Sequence, residues 1–399
     1  MKRFLGLLLV IGLLVPGCIS EEDFVEPTIP TVPIGLPSEK DPRLPASATS
    51  PRVVVAVIDS GVNFYHDWFQ RKDTLSDDVL KELVDDKGLP PARFTPSRDG
   101  NWTERVEDDH DTLRALKSGQ LYYFEGTNVF GISFQQTPED EDQYLFLTGA
   151  SHGTMTSGAV VEYNPNAIVI MAQGDRARAE AWVAARPWID VVSMSYGPPG
   201  STPREAYGFE TSIHTETMAD AGKVPVGAAD NSPAAAPIDE TAGPPWVIGV
   251  AGDNSTTRCR QHNSGTAPDF TSDFTQRLPR WNDTTNTTVG SGTSFATPKT
   301  ASTFSRVIYD VRVTWEHKGG ILDGALAKSA DGKELSFASL RDAFNRTALY
   351  FDQSCQPQPG TNLPVAQTSP WAQQGWGHLG PEVVNATIDH VLGVKVAPE

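Results

Sequence analysis

The chain has 399 residues, 39% of them hydrophobic, and its 50 acidic side chains outnumber 32 basic ones for a net charge of −18. That apolar share is ample for a buried core. The acidic balance excludes nucleic acid as a partner, because phosphate binding needs a basic face, and it fits a solvated surface.

At the N-terminus, Lys2 and Arg3 precede an apolar run from Phe4 to Val15, followed by Pro16, Gly17 and Cys18. The run is too short to span a bilayer and fits the apolar region of a secretory signal, so residues 1–17 are expected to be a signal peptide. The ending VPGC resembles the lipobox at which prokaryotic lipoproteins are cut and lipidated. That likeness implies a lipid on Cys18 and an exported chain held at the cell surface. Cleavage elsewhere would leave the protein extracellular. Residues 18–50 are rich in proline and acid, lack an apolar period and read as a flexible tether.

From Arg52 the character changes. Val53 to Ile58 is a continuous apolar run, as expected of a strand buried on both faces. Further strands are predicted at Ala167–Ala172, Ile189–Ser193, Lys223–Gly227 and Trp246–Ala251. Helices are predicted at His152–Tyr163, Arg176–Ala185 and Arg204–Ala221. This alternation implies an α/β fold with a mostly parallel central sheet and helices on both faces. Such sheets hold ligands beyond the carboxyl ends of their strands. Residues 51–395 form one domain on this pattern. Within it, residues 70–148 carry acid clusters and the aromatic patches LYYFEG and NVFGISF, and read as a long surface insertion. Leu340–Ala348 and Pro381–Leu392 predict two closing helices around a Gln/Pro-rich loop from Gln353 to Pro370. Cys259 and Cys355 are free to pair in an exported chain, and their separation in sequence leaves that open.

Three positions stand out for chemistry. Asp59 follows the first strand, His152 sits in GASHGTMTSGAV, and Ser294 sits in GSGTSFATP. The small neighbours of Ser294 let another molecule approach closely, and Pro298 suits a first helical turn. Ser294 is therefore expected at a loop-to-helix junction. Each residue alone has an ordinary explanation: a turn aspartate, a loop histidine, a capping serine. Together they are the types that acyl transfer needs. A neutral imidazole deprotonates the hydroxyl, and a carboxylate fixes the imidazole tautomer.

VAVIDSGV, SHGTMTSG and GTSFATP resemble the three signature blocks of the subtilisin-like serine proteases, the subtilases, in that family's order of Asp, His, Ser. The resemblance spans about Arg52 to Gly393 and implies the family's three-layer fold and a serine endopeptidase acting on polypeptides through an acyl-enzyme. By position it makes Asp59 the orienting acid, His152 the general base and Ser294 the nucleophile. VGAADNSP offers Asn231 as the oxyanion amide. VVSMSYG resembles the substrate-binding strand, so Ser195, Tyr196 and Gly197 are expected to pair with peptide backbone. The reaction needs no cofactor, and a monomer is expected. Many subtilases bind structural Ca²⁺. Asp108, Asp109 and Asp111, or Asp140 and Asp142, offer oxygen ligands without a spacing that names a site.

Three departures from the family matter. Asp230 stands where the family has glycine, Thr156 and Ser157 replace a small apolar pair, and about 33 residues between Cys18 and the first strand leave no room for the usual folding propeptide. Asp230 and the missing propeptide motivate an alternative, a subtilase-fold surface binding protein with little turnover. An esterase-type α/β-hydrolase is disfavoured, because it expects the order Ser, Asp, His and a second glycine after the serine.

Overall fold

In the computed structural model, residues 44–197, 210–231, 241–254, 260–261, 268–351 and 374–394 are described. The expected signal peptide, Cys18, the tether up to residue 43, Cys259, Cys355 and the loop from Gln353 lie outside them. So does the predicted start of the Arg204–Ala221 helix. Among the described residues, no helix is long and apolar enough to cross a membrane.

The strands in chain order are β1 (Val54–Asp59), β2 (Ala92–Phe94), β3 (Leu121–Phe124), β4 (Val129–Ser133), β5 (Ile168–Gln173), β6 (Val191–Met194) and β7 (Val224–Ala228). After these come β8 (Ile248–Asp253), β9 (Arg260–Gln261), β10 (Phe270–Asp273), β11 (Thr275–Pro279), β12 (Thr287–Ser291), β13 (Ala325–Lys328) and β14 (Glu334–Ser336). Ten of them make one sheet in the order β10-β8-β7-β6-β1-β5-β4-β3-β2, with β9 on the side of β8. Pairing is parallel except between β3 and β4 and between β8 and β9. The five predicted strands all form, each displaced one or two residues toward the C-terminus.

Both faces of β1 are covered, which explains its unbroken apolar run. Val55 and Val57 join a core layer with Val160 and Val161 of helix Ser151–Tyr163 and with Phe304, Val307 and Ile308 of helix Thr293–Trp315. Val54, Ala56 and Ile58 point the other way. They pack with Ala179, Trp182 and Val183 of helix Arg176–Ala184 and Met218 of helix Glu210–Asp220. The result is the expected three-layer α/β architecture.

Residues 70–148 are not a surface insertion throughout. The two aromatic patches become β3 and β4, and β4 runs parallel to β5 from Val129↔Val169 to Ser133↔Gln173. Tyr123, Phe124 and Phe130 are fully buried, and the Phe64 and Phe124 rings stack with centroids 3.9 Å apart. The aromatic residues that looked like patches are the apolar side chains of an extended sheet edge. The acid clusters before and after them lie in the connecting helices and turns.

Candidate active site

The strand order reverses at β1, which has β5 on one side and β6 on the other. Ligands in such sheets sit beyond the carboxyl ends at that reversal. Asp59 is the last residue of β1, Ser195 to Gly197 continue from β6, and Asp230 and Asn231 follow β7. All six therefore gather at one end of the sheet.

Asp59 is positioned by its strand and by the turn after it. Gln173, beside it in register on β5, donates to the Ser60 carbonyl at 2.7 Å. The His152 helix then docks on that turn. A Cβ on Gly153 would lie 2.1 Å from the Gly61 carbonyl oxygen, so only glycine allows the approach. As a result His152 Nδ1 lies 2.9 Å from both carboxylate oxygens of Asp59. Asp59 also accepts from the Ser60 N–H at 2.7 Å and from the Thr156 hydroxyl at 3.0 Å.

From sequence Thr156 is a departure from the family with no role assigned to it. The signal was present: Thr156 is four residues after His152, and on a helix that places both on one face.

These contacts set the charges. Burial pushes the Asp59 carboxyl up. The His152 charge and hydrogen bond, the Ser60 N–H and the Thr156 hydroxyl outweigh it and hold the group below its ordinary value. For His152, burial acts downward, but the Asp59 charge and hydrogen bond override it and raise the imidazole above its ordinary value. The carboxylate side chain is 5% exposed and the imidazole 39%. Because Nδ1 donates to Asp59, Nε2 is the acceptor nitrogen of the neutral ring.

Ser294 is the second residue of the 23-residue helix Thr293–Trp315, about 34 Å long at 1.5 Å per residue. The junction with the preceding strand is Gly292, with φ +150°, a conformation that suits glycine. The Phe295 ring packs 5.6 Å from the His152 ring, bringing the start of this helix against the imidazole. Further along, Ser302 Oγ donates to the Val160 carbonyl at 2.6 Å and Asn164 Nδ2 to Ser305 Oγ at 2.9 Å, which fastens the two helices side by side.

Pro298 is not in the first turn, as the sequence suggested, but is the sixth helical residue. A proline there has no N–H to offer the carbonyl four residues back, which is that of Ser294. The Ser294 carbonyl instead accepts from Ser195 Oγ at 2.8 Å. In return, Ser294 Oγ donates to the Ser195 carbonyl at 3.5 Å. The hydroxyl thus rests on the strand rather than on His152 Nε2, as is common in unliganded sites.

Asn231 is held by its own side-chain oxygen, which accepts from Thr293 N at 2.8 Å and Thr293 Oγ1 at 3.1 Å. That leaves Nδ2 as a donor beside the start of the serine helix. Asp230 has φ +90°, which explains why glycine suits this position. Its Oδ1 accepts from the Asn231 N–H at 2.6 Å, so the carboxylate turns back on its neighbour rather than outward. Its Oδ2 is buried with no hydrogen-bond partner among the described residues. Tyr196 turns its side chain under the strand, where its hydroxyl donates to the buried Glu180 at 2.8 Å.

The acidic loops are engaged by protein donors. Asp109 accepts from the Tyr65 hydroxyl and the Ser97 N–H, each at 2.7 Å, and Asp140 from Gln143 Nε2 at 2.7 Å. Among the described residues, neither loop gathers three ligand atoms within 4.8 Å, whereas Asp253, Asp273 and His378 do. Lys299 already donates to Asp273 there, so a resident cation would face a like charge.

The model of the Subtilase family matches residues 50–377. This chain belongs to the subtilase family and is a subtilisin-like serine endopeptidase. Among solved structures, the chain is similar to the prenylagaramide maturation protease PagA, at 13% identity and TM-score 0.46, covering 87% of this chain and 95% of that one. It is also similar to a lanthipeptide protease, at 16% identity and TM-score 0.48, covering 85% and 88%. No curated protein matches it significantly.

Proposed function

We propose that this subtilase cleaves peptide bonds with Ser294 as nucleophile, His152 as general base and Asp59 as the carboxylate that orients it. The carrying observation is the contact of His152 Nδ1 with both Asp59 oxygens at 2.9 Å, which turns Nε2 away from the carboxylate. A neutral His152 takes the Ser294 proton as the hydroxyl leaves its resting place on the Ser195 carbonyl. The alkoxide attacks the scissile carbonyl, and the imidazolium returns its proton to the leaving amine. Water then repeats the sequence on the acyl-enzyme.

Charge on the tetrahedral oxygen meets Asn231 Nδ2 and the Ser294 N–H, which lies in a first turn where amides have no intrahelical partner. One such amide is worth roughly 3–4 kcal/mol of barrier, a magnitude taken from subtilisin itself. Ser195 to Gly197 extend past β6 and offer the edge on which a peptide strand adds. The N-terminal sequence supports export and a lipid on Cys18.

Ser294→Ala tests the assignment. It is expected to abolish casein hydrolysis and fluorophosphonate labelling while leaving the circular dichroism spectrum unchanged. Parental turnover in that variant would overturn it. Cys18→Ala is expected to move the protein out of the membrane fraction, and unchanged membrane retention would remove the lipid anchor.

A further inference from the structure

Two arginines stand at the same end of the sheet as the triad, in the first turn of the helix that follows β5. Arg176 is exposed, and its guanidinium lies over the Tyr196 ring, 4.5 Å from the centroid. Arg178 is also exposed, and its guanidinium lies 5.4 Å from the centroid of the Phe134 ring. Neither guanidinium has a carboxylate partner among the described residues. Asp175 Oδ1 accepts from the Arg178 backbone N–H at 3.0 Å and so caps the turn rather than pairing with either guanidinium.

In this chain of net charge −18, other arginines are held by protein acceptors: Arg71, Arg98, Arg105 and Arg114 donate to backbone carbonyls. Elsewhere Arg52, Arg93, Arg186, Arg312 and Arg341 each meet an Asp or Glu. Nor does the buried Glu180 claim Arg176. Its oxygens already accept from the Tyr196 hydroxyl at 2.8 Å, Thr211 Oγ1 at 3.1 Å and His214 Nδ1 at 3.2 Å. Glu180 thereby pins the Tyr196 ring from below, and the ring presents the guanidinium at a fixed place. An exposed cation held by stacking, with no hydrogen-bond acceptor for its guanidinium among the described residues, matches a carboxylate ligand.

We propose that Arg176 is a specificity-determining residue that selects substrates carrying an acidic side chain beside Tyr196, with Arg178 adding a weaker field. The inference rests on the assignment of Ser195 to Gly197 as the substrate strand. A peptide paired there lays alternate side chains against Tyr196, within reach of the guanidinium.

The test compares kcat/KM for matched peptides bearing Glu, Gln or Lys at each position around the scissile bond. One position is expected to favour Glu over Gln by about five- to tenfold at low ionic strength, with the ratio falling as salt rises. Arg176→Ala should bring that ratio to near one, Arg176→Lys should keep part of it, and Arg176→Glu should reverse it in favour of Lys. Arg178→Ala should lower it less. Unchanged thermal melting of the variants separates lost selection from lost fold. Equal cleavage of Glu and Gln peptides by the parent at every position overturns this inference and leaves the peptidase assignment standing. Failure of the parent to cleave any peptide overturns that assignment first, and this inference with it.

Discussion

Among the described residues, two aspartate–histidine couples closely resemble each other. In one, His152 Nδ1 meets Asp59 at 2.9 Å. In the other, His378 Nδ1 meets Asp253 at 2.7 Å. Each carboxylate also takes a threonine hydroxyl, Thr156 in the first and Thr271 in the second. Each imidazole is raised above its ordinary value by its carboxylate, against the downward push of burial. The difference is at the far nitrogen. The His152 side chain is 39% exposed. That of His378 is 1% exposed, and its Nε2 meets Glu382 at 3.0 Å. A carboxylate at one nitrogen prepares a base only where the other is open. Where a second carboxylate closes it, the same couple becomes a buried ion network that holds β8 to the C-terminal segment.

Removing each histidine should separate the two roles. His152→Ala is expected to lower kcat by about 10⁶-fold, the size such a deletion has in subtilisin, with little change in melting temperature. His378→Asn is expected to cost about 3–5 kcal/mol of stability by stranding buried charge, while the folded fraction keeps its turnover. Equal losses of activity in both variants would break the distinction.

The pH responses should run in opposite directions. As the proposed base His152 acts in its neutral form, and its value is raised, so kcat/KM should fall as pH drops through a midpoint above 6.5. His378 is also raised, but it stabilises the fold as a cation. Its contribution is full below pH 6.5 and is lost as pH rises through the folded value. The melting-temperature gap between parent and His378→Asn should therefore narrow as pH rises, and a widening gap would contradict the sign. The smallest effect sharpens the first couple alone. Thr156→Val should reduce kcat/KM by roughly 1 kcal/mol, about fivefold, and Thr156→Ser should restore most of it. No change in Thr156→Val would mean that the hydroxyl does not help to hold Asp59.

The Asp59–His152 couple was legible because its residues sit in short blocks with fixed neighbours, and the strands because double burial leaves unbroken apolar runs such as Val53 to Ile58. What escaped the sequence depended on partners distant in the chain. LYYFEG and NVFGISF carry no sign that they will pair beside β5, because an aromatic run is equally compatible with a surface cluster. Pro298 looked like a helix start because local preference places proline in a first turn, and only the fold shows a use for it deeper in the helix. The turn of Asp230 toward Asn231 depends on a positive φ that the residue type disfavours. His378 gave no signal at all, since its carboxylates are 125 residues away at Asp253 and four residues away at Glu382.

Pro298 has one more implication. An interior proline gives up roughly 3 kcal/mol of helical regularity, and here the loss falls on the carbonyl of Ser294. Ser195 catches that carbonyl and is touched by the hydroxyl in turn. The proposed nucleophile is thereby latched at two points to the edge on which a peptide would dock, so that seating the substrate and freeing the serine would become a single mechanical event.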